Sequence, residues 1–180
     1  MNIYLVRHTA VNVQAGTCYG HTDVGLKDSF EAEALEVKKQ LETIKFDRVY
    51  SSPLRRCTHL AEACGYTDFI KDERLMELNF GNWEMQRFDD IKDPVLNDWY
   101  KDYINVIPTN GESFANQLKR TSEFMNELVM MKNIKNVLIF THSGVQLCAR
   151  VWNGEFKLNE AFEHTTGYGS IITLKTDVTD

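Results

Sequence analysis

The chain has 180 residues, of which 43% are hydrophobic and 26% charged, and its formal charge is −6. That balance fits one globular domain and excludes a disordered chain, while only 10 Gly and 3 Pro exclude collagen-like or low-complexity sequence. The acidic excess argues against a nucleic-acid partner, so an anionic ligand must be held by a few local cations. There is no apolar run of about 18 residues to span a membrane, and the start has no basic, apolar leader. Cys18, Cys57, Cys64 and Cys148 are scattered, with no C-x-x-C pair. The expectation is a reduced, cytoplasmic protein whose thiols are small core residues.

Ile3 to Val6 reads as a buried strand that breaks at Arg7–His8, and a loop through Gly16, Gly20 and Gly25 follows. From Asp28 the apolar spacing turns helical through Phe30, Ala34, Val37, Leu41 and Ile44, with Asp28 and Glu31 in the pattern of a capping box. Arg48-Val-Tyr predicts a second strand that ends in Ser51-Ser52-Pro53. A helix starting near Pro53 runs to about Cys64 and stops before Gly65. Asp68-Phe-Ile-Lys predicts a third strand. The stretch from 76 to 110 has no clear period and reads as an irregular insertion with short helices. Phe114 to Leu128 restores helical spacing. Val137-Leu-Ile-Phe is a strand, Thr141-His142-Ser143-Gly144 sits at its end, and a helix through Val145, Ala149 and Trp152 follows. Ser170-Ile-Ile-Thr-Leu closes as a last strand. Strands alternating with helices predict an α/β fold with a mostly parallel sheet covered on both faces.

In such a sheet, ligands sit outside the carboxyl ends of the strands. The first strand ends in Arg7–His8, the second leads into Arg55–Arg56, and the strand at Val137 ends in His142. Taken singly, these are solvated strand ends, a charged helix face and a core histidine. Together they fall at one sheet edge, where two imidazoles and several guanidiniums form a pocket for a doubly charged phosphate. There is no P-loop motif, and the five histidines lack metal-ligand spacing, so neither a nucleotide-cradling loop nor a metal is expected. His21, His59 and His164 have no such placement and are assigned to structure. Glu77 lies among apolar residues, surroundings that raise a carboxyl pKa and suit an acid; Glu84 and Glu112 are weaker candidates.

Five segments in order, Leu5-Val-Arg-His-Thr, Ser51-Ser-Pro-Leu-Arg-Arg, Glu77-Leu-Asn-Phe-Gly-Asn-Trp-Glu, Gly111-Glu-Ser and Thr141-His-Ser-Gly, resemble the histidine phosphatase superfamily founded on cofactor-dependent phosphoglycerate mutases. The resemblance covers nearly the whole chain. It implies one domain over 1–180, built as a three-layer sandwich of the phosphoglycerate mutase type. It also implies phosphate monoester hydrolysis without a cofactor. His8 would be the phosphorylated nucleophile, with Arg7, Arg56 and protonated His142 binding the phosphoryl group and Glu77 donating the proton. Thr9 and Ala10 replace the Gly and Glu usual after the Arg-His pair. The loop Gly16-Thr-Cys-Tyr-Gly-His-Thr-Asp23, with Leu26, resembles the branch acting on α-ribazole 5′-phosphate in cobalamin nucleotide-loop assembly. Thr9, Asn12, Cys18, Tyr19, Gly20 and Ser143 are the expected substrate contacts, with Tyr19, Trp83 and Trp99 available to stack on a flat leaving group. The alternatives are a phosphoglycerate mutase, a broad-specificity sugar or protein phosphatase, and a non-enzymatic phosphate-binding module.

Overall fold

The computed structural model describes residues 1–176. In chain order the elements are β1 (Asn2–Arg7), α1 (Phe30–Leu41), β2 (Arg48–Ser51), α2 (Arg55–Ala63), β3 (Ile70–Lys71), α3 (Val95–Lys101), α4 (Phe114–Val129), β4 (Asn136–Thr141), α5 (Ser143–Trp152) and β5 (Ile171–Lys175). The strands form one sheet in the order β3-β2-β4-β1-β5. β1, β2, β3 and β4 run parallel, and β5 pairs antiparallel to β1.

Alternation along the strands builds two apolar layers. Val137 and Ile139 of β4 join Ile3 and Leu5 of β1 against Phe124, Met125 and Leu128 of α4 and Val145 and Ala149 of α5. Leu138 and Phe140 turn the other way, with Val6, against Ala34, Val37 and Leu41 of α1 and Cys57, Leu60 and Ala61 of α2. The result is the expected three-layer sandwich. The run Val137–Phe140 is apolar throughout because both of its faces are covered.

Three boundaries differ from the sequence reading. α1 ends at Leu41, short of Ile44, and its N-cap is Ser29, which makes no side-chain cap bond. The expected Asp28–Glu31 box does not form. Instead Ser29 Oγ donates to Glu33 Oε1, and the same carboxylate accepts from Ala10 N–H, which ties the helix start to the loop after β1. The third strand shrinks to Ile70–Lys71 at the sheet edge. Between 76 and 110 the chain forms short 3-10 turns and α3 around a satellite core of Cys18, Trp83, Ile91 and Leu96. That core joins the insertion to the Gly16–Gly20 loop, through Cys18 N–H to Gln86 O at 2.8 Å and Met85 N–H to Cys18 O at 2.8 Å.

Candidate active site

The parallel register sets Arg7 of β1 beside Thr141 of β4, so the next residues, His8 and His142, leave the sheet side by side. Their ring centroids are 5.2 Å apart. His8 N–H donates to Thr141 O at 3.0 Å, and Gly169 N–H donates to His8 O at 3.2 Å, which fixes the backbone from both neighbouring segments. His8 Nδ1 lies 2.7 Å from Thr9 O. A carbonyl only accepts, so Nδ1 carries the hydrogen and Nε2 keeps its lone pair. Burial, then the charge on Arg56, pushes the His8 pKa from its usual 6.5 to about 3, with Arg7 adding to the effect. Above that pH the ring is neutral, with the Nε2 lone pair free.

His142 is fully buried, with Nε2 at 2.8 Å from Ser52 Oγ. Burial, followed by Arg56 and His8, holds its pKa well below 6.5. His142 is therefore neutral in the free site, and the protonated form expected from the resemblance would need a bound dianion beside it.

Arg56 enters from the first turn of α2, wholly buried, and donates to Gly20 O at 2.6 Å and Thr22 O at 3.0 Å. Gly20 thus contributes its carbonyl, and a Cβ there would lie 1.8 Å from Leu78 O, so only glycine fits this close approach. Glu84 fastens the same loop, accepting from His21 N–H, Thr22 N–H and Thr22 Oγ and also from Phe80 N–H. These duties remove Glu84 from the candidates for proton donor. Arg7 donates to Thr166 O, and its guanidinium lies 4.3 Å from the Tyr168 ring centroid.

Glu77 corrects the sequence expectation in its surroundings, which are polar. Its Oε1 accepts from Leu78 N–H at 2.9 Å and from Gln117 Nε2 at 3.0 Å. Its Oε2 accepts from Gly144 N–H, in the first turn of α5, at 3.2 Å. Arg120 braces the segment from behind, donating to Met76 O at 2.7 Å and Glu77 O at 2.9 Å while paired with Glu112 at 2.7 Å. Glu112 is consumed by that pairing and is not a free acid. A Cβ on Gly144 would stand 2.3 Å from Glu77 Oε1 and 2.7 Å from Gln117 Oε1. Gly144→Ala is expected to displace the carboxyl and lower kcat about tenfold or more, with an overpacking penalty of about 1–3 kcal/mol in stability. Steady-state kinetics and a urea melt check this, and unchanged kcat would show that Glu77 is not needed where it sits.

Arg7, His8 and Glu77 open on a cleft of about 280 Å³. Gln117 and Ser143 add to its polar lining, and Phe80, Phe88, Phe114 and Phe162 are its aromatic lining. Cys18 and Tyr19 also line it. Burial pushes the Cys18 thiol up to about 12, so it is a wall and not a nucleophile. Thr9 is buried beside His8 and acts through its carbonyl. Asn12 is a correction: it is exposed and lines a separate surface hollow with Lys27, Asp28 and Ser29, because the Val11–Leu26 bridge and its own N–H bond to Gly25 O at 2.7 Å hold it beside that segment. Trp83 and Trp99 are corrections too. Trp83 is fully buried with its indole N–H on Asp93 at 2.8 Å, and Trp99 packs on it edge to face at 5.7 Å. His164 stacks on Phe156, centroids 4.1 Å apart, as a structural residue.

Sequence reasoning missed Gln117, Tyr168 and the phenylalanine walls. Gln117 left a signal: it sits on the apolar face of α4 between Phe114 and Thr121 and is fully buried. Buried side-chain atoms without a partner also gather at the site: Arg7 Nε, Thr9 Oγ1, Arg56 Nε, Gln117 Oε1 and Ser143 Oγ. Each such group costs about 1–3 kcal/mol, which is tolerable where a ligand supplies the missing partner.

Because both imidazoles resist protonation only when folded, the unfolded chain binds more protons between the folded pKa values and 6.5. The stability present above pH 6.5 is therefore lost as pH falls, at up to about 1.4 kcal/mol per pH unit for each histidine. Urea unfolding in phosphate-free buffer at pH 7, 6 and 5 should show this slope, and His8→Ala should reduce it by about half. A flat profile for the parent protein would contradict the assigned neutral state.

The match with known proteins agrees with this geometry. The model of the histidine phosphatase superfamily (branch 1) matches residues 3–179. An adenosylcobalamin/alpha-ribazole phosphatase of Salmonella typhimurium is 34% identical over 153 residues, covering 81% of this chain and 75% of that protein. Its counterpart from Escherichia coli (strain K12) is 30% identical with the same coverage. The crystal structure of the alpha-ribazole phosphatase from Shigella flexneri superposes with a TM-score of 0.91 at 25% identity, covering 98% of this chain and 91% of that one. The chain belongs to the histidine phosphatase superfamily, and its activity is that of a phosphatase. No helix among the described residues is long and apolar enough to cross a membrane.

Proposed function

We propose that this phosphatase hydrolyses α-ribazole 5′-phosphate through a phosphohistidine on His8. The observation that carries the reading is one cleft lined both by Arg7, His8 and Glu77 and by Phe80, Phe88, Phe114 and Phe162. A phosphate binds the charged and imidazole groups whatever ester it belongs to, so choice of substrate falls to the aromatic lining, and a benzimidazole riboside is flat and apolar. The relatives named above support the same substrate.

In the proposed reaction His8 Nε2 attacks phosphorus in line, the bond to the ester oxygen breaks, and Glu77 gives that oxygen its proton. Water then attacks the phosphohistidine, Glu77 takes one of its protons, and phosphate leaves with His8 restored. Arg7 and Arg56 offset charge on the non-bridging oxygens, the main contribution expected in phosphoryl transfer. His142, neutral beforehand, gains a proton when a dianion arrives beside it. These steps use only the chain's own groups.

A phosphate-release assay on α-ribazole 5′-phosphate, 3-phosphoglycerate and p-nitrophenyl phosphate tests the reading. The first is expected to give the highest kcat/KM. Phe162→Ala should lower that value about five- to a hundredfold, the worth of one base–aromatic contact of about 1–3 kcal/mol, and leave 3-phosphoglycerate within about threefold. A preference for 3-phosphoglycerate would overturn the assignment.

A further inference from the structure

We infer that Tyr19 and Tyr168 form a hydroxyl-linked pair whose ring faces hold Arg56 and Arg7 in place for the phosphoryl group, which makes both tyrosines positioning residues. The inference rests on the phosphatase reading above and adds to it the means by which two like charges are kept together. Tyr19 and Tyr168 meet hydroxyl to hydroxyl at 2.9 Å across 149 positions of sequence. The Arg7 guanidinium carbon is 4.3 Å from the Tyr168 centroid, and that of Arg56 is 5.5 Å from the Tyr19 centroid. Each arginine is therefore near the face of one member of the linked pair.

Neither Arg7 nor Arg56 makes a salt bridge among the described residues; their hydrogen-bond partners are the carbonyls of Thr166, Gly20 and Thr22. A carboxylate partner would hold each cation but would have to be displaced by every incoming phosphate. An aromatic face attracts a cation through its quadrupole without cancelling its charge. The full charge of both guanidiniums thus stays available, and both Nε atoms remain unpartnered. Both rings are anchored. Tyr19 follows Cys18, which is bonded to the insertion, and Tyr168 precedes Gly169, whose N–H holds the His8 carbonyl. The Tyr168 ring also lies 5.6 Å from that of His8, so one residue touches both the nucleophile and an arginine. Tyr168 is 44% exposed, which gives it no core-packing reason to be aromatic.

The proposal separates ring from hydroxyl. Binding of inorganic phosphate to the intact protein, measured calorimetrically and as competitive inhibition, should weaken about five- to thirtyfold in Tyr168→Leu. Tyr168→Phe keeps the ring and should stay within about threefold of the parent. Tyr19→Phe and Tyr168→Phe break the same bond, so the double variant should lose no more than either single one. Tyr19→Leu should lower kcat/KM equally on α-ribazole 5′-phosphate and p-nitrophenyl phosphate, whereas a leaving-group contact predicts loss on the first alone. If Tyr168→Leu melts early, Tyr168→Trp, which keeps a ring face, should bind phosphate within about threefold. Parent-like phosphate binding by Tyr168→Leu, additive losses in the two Phe variants, weak binding by Tyr168→Trp, or a loss confined to α-ribazole 5′-phosphate would overturn the proposal. The two readings fail separately: absence of an acid-labile phosphate on His8 in the parent removes the phosphohistidine, whereas normal labelling with any of those four results removes only the tyrosine pair.

Discussion

Replacing His8 with alanine is expected to lower turnover about a thousandfold or more, on every monoester tried, while the protein stays folded. The imidazole lines the cleft with a defined free lone pair, since Nδ1 is committed to the Thr9 carbonyl. Without it the arginines still gather phosphate, so substrate binding should survive while chemistry is lost. The structural loss is small: one hydrogen bond to a carbonyl, worth about 0.5–1.5 kcal/mol, set against relief of a buried imidazole that resists protonation. Rapid acid quench of the parent protein with labelled substrate should trap phosphate on His8, and the variant should trap none. Turnover near the parent rate in the variant would sink the assignment of the nucleophile.

The second large effect is expected from Glu77→Gln, and it should depend on the leaving group. Removing a general acid costs about a hundred- to ten-thousandfold when the departing oxygen needs its proton. The ribose alcohol of α-ribazole 5′-phosphate is such a group, whereas p-nitrophenolate departs unprotonated. The loss should therefore be large on the first substrate and below about tenfold on the second. The Gln amide keeps the shape of the side chain but brings an NH2 towards N–H donors from Leu78, Gln117 and Gly144. That mismatch acts on both substrates alike. Equal losses would mean that Glu77 organises the site and does not supply the proton.

The sequence made the sheet legible because its strands carry unambiguous patterns. Val137–Phe140 is apolar on both faces, which marks a covered strand, whereas its pairing with β1 is seen only in the structure. His8, Arg56 and His142 were readable for the same reason, each lying within a few residues of a strand's carboxyl end. The walls of the cleft were not. Between 76 and 110 no period separates Trp83, which is wholly buried, from Phe80 and Phe88, which pack on the same satellite core and also line the cleft. Tyr168 stands between two glycines, far in sequence from any motif, and nothing local marks it. Asn12 looked like part of the strand-end loop, yet pairing of Val11 and Asn12 with Leu26 and Gly25, distant in sequence, holds it at another surface hollow. The polarity around Glu77 comes from Gln117 and Gly144, which are distant in sequence, so neighbours along the chain could not report it.

The position of β1 between β4 and β5 also bears on how the protein comes to be made. β1 leaves the ribosome before β2, β3, β4 and β5 yet pairs only with strands in residues 136–175, so it has no strand neighbour until those residues have been synthesised. Closing so long a loop is slow compared with local helix formation. In the interval Ile3, Leu5 and Val6, all wholly buried at the end, are an unpaired apolar strand open to chaperones or to aggregation. His8 and His142 meet only when β1 and β4 zip together, so the proposed site forms late. A nascent chain arrested before β4 emerges would have α1 and α2 available to fold but His8 without His142 beside it.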